Sequence, residues 1–336
     1  MNIYKIVFGL FGTLCALAWG ARIVRSQGSS PAGIEVHMVI TDQAFNNDAE
    51  LPALRSDNVQ VKQGKSGLKI NQLIPAQGDN AALQLFILID DTCDPGIGNN
   101  LNDIRDFINA QPPSTQVGVA FMSNATIQIA QNFTADHALA AKAVRLPRGT
   151  LSSMDSPYLS LISLVKGWPQ QKVRREVLLV TDGIDRLRGE RSSQFPSRSG
   201  VGPNLTPTLY TMPAISPDAD SASTNSQRYG VIVHSIYATG AGRLGRNAWQ
   251  AQLGQSGIAK IADETGGEYF ALGTQNAVSF KPYLERLQRI FDNQYYLVFQ
   301  AVPRKKEGLQ RVSVSTQVAN ADIAAADNVW VPAAGS

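Results

Sequence analysis

A nearly continuous apolar run occupies residues 83–89 and ends at Asp90. Such a run is typical of a parallel strand that is buried on both faces of a sheet. Similar runs recur at residues 117–122, 177–180, 231–238 and 269–272. Patterns with helical spacing lie between them, at residues 101–108, 136–144, 158–165, 248–264 and 278–291. This alternation predicts an α/β protein with a doubly wound, mostly parallel sheet of the Rossmann-like kind.

Two further patterns refine this architecture. The apolar runs at residues 117–122 and 126–133 are separated by only three residues, which is hairpin spacing and predicts one antiparallel edge strand. Alternating β patterns also occur before and after the α/β region. We expect the segments 34–78 and 293–334 to pack together as a small β module beside an α/β domain at residues 81–292.

Residues 1–25 have the pattern of a targeting segment. Lys5 precedes an apolar run at residues 6–21, and Ala16-Leu17-Ala18 fits a signal peptidase site. The run has 16 residues, fewer than the ~20 that a membrane-spanning helix needs. The segment therefore predicts a secretory signal and a secreted or periplasmic protein. The alternative is a retained inner-membrane anchor, and we expect contact with a membrane only in that case.

Composition excludes several classes of function. The chain has 30 Lys and Arg against 27 Asp and Glu, and this net charge of +3 argues against a nucleic-acid partner. Two cysteines cannot form a disulfide framework. Cys93 is either a free thiol or intermolecular disulfide partner, or a small buried side chain. The glycine-rich segment 240–245 has the spacing of a dinucleotide motif, but the next predicted strand, at residues 269–272, ends without the acidic residue that would bind the ribose. No nucleophile–base pair is apparent, so we expect no enzyme activity.

Acidic residues follow two of the predicted strands. Asp90-Asp91-Thr92-Cys93-Asp94 comes after the first strand of the α/β region, and Thr181-Asp182-Gly183 follows a later one. Ligands of open α/β sheets bind beyond the carboxyl ends of the strands. Carboxylate and hydroxyl oxygens are the donors that a hard divalent cation prefers. These two segments are therefore candidates for a cation site.

These segments resemble the von Willebrand factor A domain, over most of residues 83–291. The flanking β segments are similar to a bacterial secreted subgroup of that family. The resemblance implies a metal-ion-dependent adhesion site, in which the metal ligands would be Asp90, Thr92, Asp94, Thr150 and Asp182. It also implies Mg²⁺ as the ion, with Ca²⁺ and Mn²⁺ as alternatives, and a protein partner that the sequence does not identify.

Two positions depart from the family pattern. Thr92 and Asp94 stand where the family has serines, so the expected first shell is more negative and has less need of an acidic group from a partner. The alternative is a degenerate site that holds no cofactor, in which Asp90 and Asp182 cap helices or accept hydrogen bonds from loop amides.

The expected function is an extracytoplasmic protein-binding module of the adhesion or assembly type. The alternative is a metal-free structural or scaffold component of the cell envelope. A long segment at residues 186–217 contributes to both interpretations, because it carries Arg186, Arg188, Arg191 and Arg198 against Glu190. This basic segment either folds over the acidic site or extends it toward an acidic partner.

Overall fold

The structure is a computed structural model. It describes residues 33–43, 53–169, 171, 173–188, 215–241, 248–271, 273, 275–319 and 321–334, with the backbone of 192–197 and 208–213. The targeting segment predicted at residues 1–25 lies outside this range, as does most of the glycine-rich segment 240–245. No helix in the described range is long and apolar enough to cross a membrane.

The described residues form strands and helices along the whole range. The strands are β1 (Ile34–Asp42), β2 (Val59–Gln63), β3 (Ser66–Leu68), β4 (Ile70–Pro75), β5 (Leu83–Asp90), β6 (Thr115–Ser123), β7 (Thr126–Thr134), β8 (Arg174–Thr181), β9 (Ser192–Ser197), β10 (Thr208–Pro213), β11 (Val231–Tyr237), β12 (Tyr269–Phe270), β13 (Gln294–Ala301), β14 (Gly308–Arg311), β15 (Ser313–Thr316), β16 (Ile323–Ala325) and β17 (Asn328–Val331). The helices are α1 (Gly98–Asn109), α2 (His137–Ala143), α3 (Pro157–Lys166), α4 (Pro217–Arg228), α5 (Ala248–Thr265) and α6 (Lys281–Asp292).

The central layer is a six-stranded sheet with the order β12-β11-β8-β5-β6-β7. Five strands are parallel, and β7 pairs antiparallel with β6 at one edge. All eight residues of β5 are buried, which explains the apolar run in the sequence. The predicted doubly wound α/β fold with one antiparallel edge strand is confirmed.

Helices cover both faces of this sheet. On one face α1, α2 and α6 pack against alternate residues of β5 such as Leu85 and Ile87. On the other face α3, α4 and α5 pack against Phe86 and Leu88. The sheet thus has one apolar core on each face. Both cores stabilise the fold, because their side chains leave water on folding.

The N- and C-terminal β segments pair with each other, as the fold prediction required. Strand β13 lies between β1 and β4 in a four-stranded sheet, and both pairs are antiparallel. The module contacts the amino edge of the central sheet, where the Arg174 guanidinium donates to the Gln294 side chain over 2.7 Å. At the same edge the Tyr296 hydroxyl donates to the carbonyl oxygen of Ala82. The carboxyl edge, by which we mean the end of the sheet where its parallel strands finish, lies at the opposite end of the strands.

Two elements were not predicted from the sequence. Helix α4 buries small side chains such as Ala219, Ala222 and Ser223, so it lacks the large apolar stripe by which amphipathic helices are recognised. Its start is nevertheless marked by Ser216, whose hydroxyl caps the helix, and by Pro217 in the first turn. The second element is the β9–β10 hairpin, which occupies part of the long segment 186–217.

Candidate functional site at the carboxyl edge of the sheet

The candidate site lies where the strand order reverses. Strand β5 sits between β6 and β8, and the chain leaves it toward β6 before it returns to β8. Asp90 ends β5 and Thr181 ends β8, so their carboxyl ends are adjacent. Ligand crevices of open α/β sheets form at such switch points.

Asp90 is buried at this junction and accepts two hydrogen bonds. Its Oδ2 accepts from the Thr181 hydroxyl over 2.6 Å, and its Oδ1 accepts from the backbone amide of Thr92 over 2.9 Å. Burial, followed by the nearby charge of Asp182, raises the pKa of Asp90 to about 6. The hydrogen bonds oppose this shift because they favour the ionised form.

Asp182 is fully buried and forms an ion pair with Arg186. The guanidinium places Nη2 2.5 Å from Oδ2 and Nη1 3.4 Å from Oδ1 of the carboxylate. Burial raises the pKa of Asp182, and the charge of Arg186 opposes that shift. Burial lowers the pKa of Arg186, but the charges of Asp182 and Asp90 outweigh it, so that pKa lies above its usual range.

The Arg186 guanidinium also contacts two further oxygen atoms. Its Nη1 lies 3.3 Å from the Thr92 hydroxyl oxygen and 3.4 Å from the carbonyl oxygen of Ile184. The side chain is only 13% exposed. A cation that belongs to the chain itself therefore stands among oxygen atoms from both strand ends.

The turn after β8 holds Arg186 in this position. The backbone amides of Arg186 and Leu187 both donate to the carbonyl oxygen of Asp155 over 2.9 Å. The Tyr158 hydroxyl donates to the carbonyl oxygen of Gly183 over 2.7 Å. Gly183 has a φ of +71°, and its Cα packs against the backbone of Gly254, so a side chain at this position would overlap that helix.

Asp91 is neutralised by a second arginine. Arg145 donates to both carboxylate oxygens of Asp91, over 2.6 and 2.8 Å, and its guanidinium stacks on the Phe121 ring 3.6 Å from the centroid. A bidentate pair of this kind is among the strongest hydrogen-bonded contacts in proteins. The Nε atom of Arg148 lies 3.7 Å from Asp91, and that side chain remains 58% exposed.

The two remaining predicted ligands lie at the same edge. Asp94 accepts a hydrogen bond from the Gly96 amide over 2.8 Å and caps the short 3₁₀ helix Pro95–Ile97. Thr150 is exposed, and the preceding residue, Gly149, donates its amide to the carbonyl oxygen of Asp91 over 2.9 Å. The fold thus brings all five predicted residues to one edge of the sheet.

In this arrangement the donor set does not fit a divalent cation. Asp182 is paired with a guanidinium, while Asp90 and Asp94 accept hydrogen bonds from the chain. Among the described residues, no three Asp, Glu, His or Cys side chains converge as they would around a metal ion. Metal binding by the five residues stays a prediction. It would require the Arg186 guanidinium to move away from the Asp182 carboxylate.

The basic segment after β8 contributes a second pair at this edge. Arg188 donates to Asp218 at the start of α4, with Nε 2.8 Å from Oδ2. Arg186 therefore lies against the acidic site, as in the first of the two expected arrangements, whereas Arg188 pairs with Asp218, which is not one of the predicted site acids. Glu190, Arg191 and Arg198 lie outside the described residues.

The environment of Cys93 agrees with the interpretation of this residue as a small buried side chain. Its side chain is fully buried, and its Sγ lies 3.9 Å from the carbonyl oxygens of Val180 and Ala238. Burial, with the charge of Asp90, raises the pKa of this thiol well above its usual range. The thiolate is the reactive form of cysteine, so this environment makes Cys93 a packing residue.

Large apolar side chains are exposed mainly at the carboxyl edge. Eight such side chains are exposed among the described residues, and five of them lie on carboxyl-edge segments. These five are Leu146, Met154, Ile215, Trp249 and Val278. Apolar side chains that are exposed at one edge of a domain are available for contact with a protein partner.

Sequence reasoning missed several residues of this site. Arg145, which pairs with Asp91, and Asp155, which holds the turn of Arg186, are both distant in sequence from their partners. No sequence spacing identifies either of them. Arg186 was noted only as one of four basic residues. Its position four residues after Asp182, within a turn that begins with glycine, was the available signal.

The sheet topology is the doubly wound, mostly parallel α/β arrangement with one antiparallel edge strand that the sequence resemblance implied. No family model and no curated protein matches the sequence.

Among solved structures, the chain is similar to an aerotolerance-related membrane protein from Bacteroides fragilis, with 12% identity over 63% of this chain and 99% of that chain and a TM-score of 0.41. A conserved hypothetical protein from Bacteroides thetaiotaomicron has 13% identity over 62% of this chain and 98% of that chain, with a TM-score of 0.40. A von Willebrand factor type A protein from Catenulispora acidiphila has 10% identity over 92% of this chain and 76% of that chain, with a TM-score of 0.39.

Proposed function

We propose that this chain is an extracytoplasmic protein-binding module of the adhesion or assembly type, without enzyme activity, and that its partner binds at the carboxyl edge of the central sheet. The observation that carries the proposal is the concentration of exposed apolar side chains at that edge. Water-exposed apolar groups are unfavourable unless a partner covers them. The pattern at residues 1–25 supports the extracytoplasmic location.

The position of the β module is consistent with this proposal. The module contacts the amino edge of the sheet through Arg174 and Tyr296, so it leaves the carboxyl edge accessible. The alternative from the sequence, a scaffold that associates with itself through the β module, predicts an oligomeric state that depends on concentration. Sedimentation at several protein concentrations distinguishes the two, because a purely partner-binding module stays monomeric.

A capture experiment tests the proposal with matched variants. Met154 and Leu146, at the carboxyl edge, are 53% and 51% exposed, while Ile129 on β7 and Leu139 on α2 are 52% and 47% exposed. The immobilised full chain is used to capture partners from an extract of the source cells, and a captured protein is then purified and its affinity for each variant is measured.

The double variant Met154→Asp with Leu146→Asp is expected to weaken that affinity at least about tenfold, because each change places an unpaired charge in the interface. The control, Ile129→Asp with Leu139→Asp, is expected to bind like the wild type. Equal binding by both variants, or loss only in the control, contradicts the proposal. We expect the same affinity in EDTA and in Mg²⁺, and a loss of binding in EDTA would favour the cation-dependent alternative.

A further inference from the structure

The position of Arg186 leads to an inference that does not depend on partner binding. Four oxygen atoms surround the end of its side chain: both carboxylate oxygens of Asp182, the hydroxyl oxygen of Thr92 and the carbonyl oxygen of Ile184. Carboxylate, hydroxyl and carbonyl oxygens are the ligand types that hard divalent cations use. The guanidinium is thus enclosed by the kind of oxygen set that a metal ion would take.

Arg186 is held at this position by the backbone as well as by its charge. Two amide hydrogen bonds to Asp155 fix the turn, and Asp155 in turn accepts hydrogen bonds from the amides of Asn124 and Ser152, over 2.8 and 2.6 Å. Long surface side chains normally keep their rotamer freedom, and surface ion pairs contribute little. Arg186 differs from them because it is 13% exposed and its carboxylate partner is fully buried.

We propose that Arg186 is the resident cation of this site, with its guanidinium in the place that the sequence resemblance assigns to a divalent metal ion, and that a metal ion binds there only when the guanidinium is absent. The tethered charge is always present at the two buried carboxylates Asp90 and Asp182. No change in metal concentration can remove it. The carboxyl edge therefore keeps its shape in chelator.

Removal of the guanidinium tests this proposal directly. The full chain is prepared as wild type, Asp182→Asn, Arg186→Ala, Arg186→Lys and the double variant Arg186→Ala with Asp182→Asn. Binding of Mn²⁺ is measured from the loss of the free-ion electron paramagnetic resonance signal, and thermal unfolding is followed in EDTA and in Mn²⁺. Arg188→Ala is the matched control, since it removes an arginine from another buried carboxylate, Asp218, at the same edge.

The wild type, Arg186→Lys and Arg188→Ala are expected to bind no Mn²⁺ at this site and to melt at the same temperature in EDTA and in Mn²⁺. Arg186→Ala is expected to bind about one Mn²⁺ per chain, because the freed oxygen atoms suit that ion. Its melting temperature is expected to rise by at least about 3 °C in Mn²⁺, since ligand binding to the folded state alone is stabilising. The double variant is expected to lose both effects.

Two results overturn the proposal. One is Mn²⁺ binding by the wild type that Asp182→Asn abolishes, and the other is an Arg186→Ala chain that folds but binds no Mn²⁺. If Arg186→Ala does not fold in EDTA, refolding is compared in the two buffers. Recovery in Mn²⁺ alone supports the proposal, and failure in both overturns it.

Discussion

Gly254 of helix α5 packs directly against the backbone of Asp182. A Cβ atom at Gly254 would overlap the carbonyl oxygen of Asp182, and one at Gly183 would overlap the carbonyl oxygen of Gly254. The helix and the turn after β8 thus approach each other more closely than any residue with a side chain allows. This contact sets the course of the turn that carries Arg186.

Gly254→Ala is expected to destabilise the protein by at least about 2 kcal/mol, because the added methyl group forces the helix and the turn apart. Urea unfolding followed by circular dichroism measures the change. Gly67→Ala is the control, since no atom lies within 4 Å of its Cβ position, and it is expected to change stability by less than about 0.5 kcal/mol. Equal effects of the two changes would contradict the proposed contact.

The raised pKa of Asp90 predicts a dependence of stability on pH. The pKa rises from 3.8 to about 6 on folding, so the folded state binds this proton more tightly. The resulting stabilisation is complete below pH 4 and is lost as the pH rises through 6. A shift of about two units at 1.36 kcal/mol per unit amounts to about 3 kcal/mol.

Asp90→Asn removes this titration. The variant is expected to gain stability relative to the wild type between pH 4 and pH 7, with most of the change between pH 4 and pH 6. The free energy of unfolding is measured by urea titration at each pH. Parallel pH profiles for the two proteins would show that Asp90 titrates with its ordinary pKa.

The bidentate pair between Arg145 and Asp91 predicts strong coupling. In a double-mutant cycle with Asp91→Asn and Arg145→Gln, the coupling energy is expected to be about 1–3 kcal/mol, because Asp91 is almost fully buried. The exposed pair of Arg55 and Asp57, with side chains 73% and 64% exposed, supplies the comparison. Its coupling is expected to stay below about 0.5 kcal/mol, and a similar value for both pairs would contradict the prediction.

His234 lies in the middle of β11, and we expect its substitution to lower the free energy of unfolding strongly. Its Nδ1 accepts from the Glu268 amide over 3.0 Å, so its Nε2 carries the proton and donates to Glu176 over 2.7 Å. His234→Ala leaves a buried carboxylate without this donor and is expected to cost about 3–5 kcal/mol. His37→Ala, at a side chain 59% exposed, is expected to cost less than about 0.5 kcal/mol in the same denaturation experiment.

Much of the architecture was predictable because burial on both faces leaves a direct mark on a strand. The apolar residues of β5 and β8 identified the central sheet, and the parallel direction of these strands placed Asp90 and Asp182 at one edge. Helix α4 was missed because its buried face consists of small and polar side chains, which periodicity does not distinguish from a polar loop. The charge partners of the site were missed because they come from distant segments.

The fold class and the edge of the sheet where acidic side chains gather were predictable from the amino-acid sequence, since both follow from local patterns of apolar and charged residues. Which positive charge stands at Asp182 was a matter for the folded chain. That choice depends on hydrogen bonds from Arg186 and Leu187 to Asp155, and on the approach of Gly254 to Gly183. Ion pairing is decided by distance and burial, and the folded chain sets both.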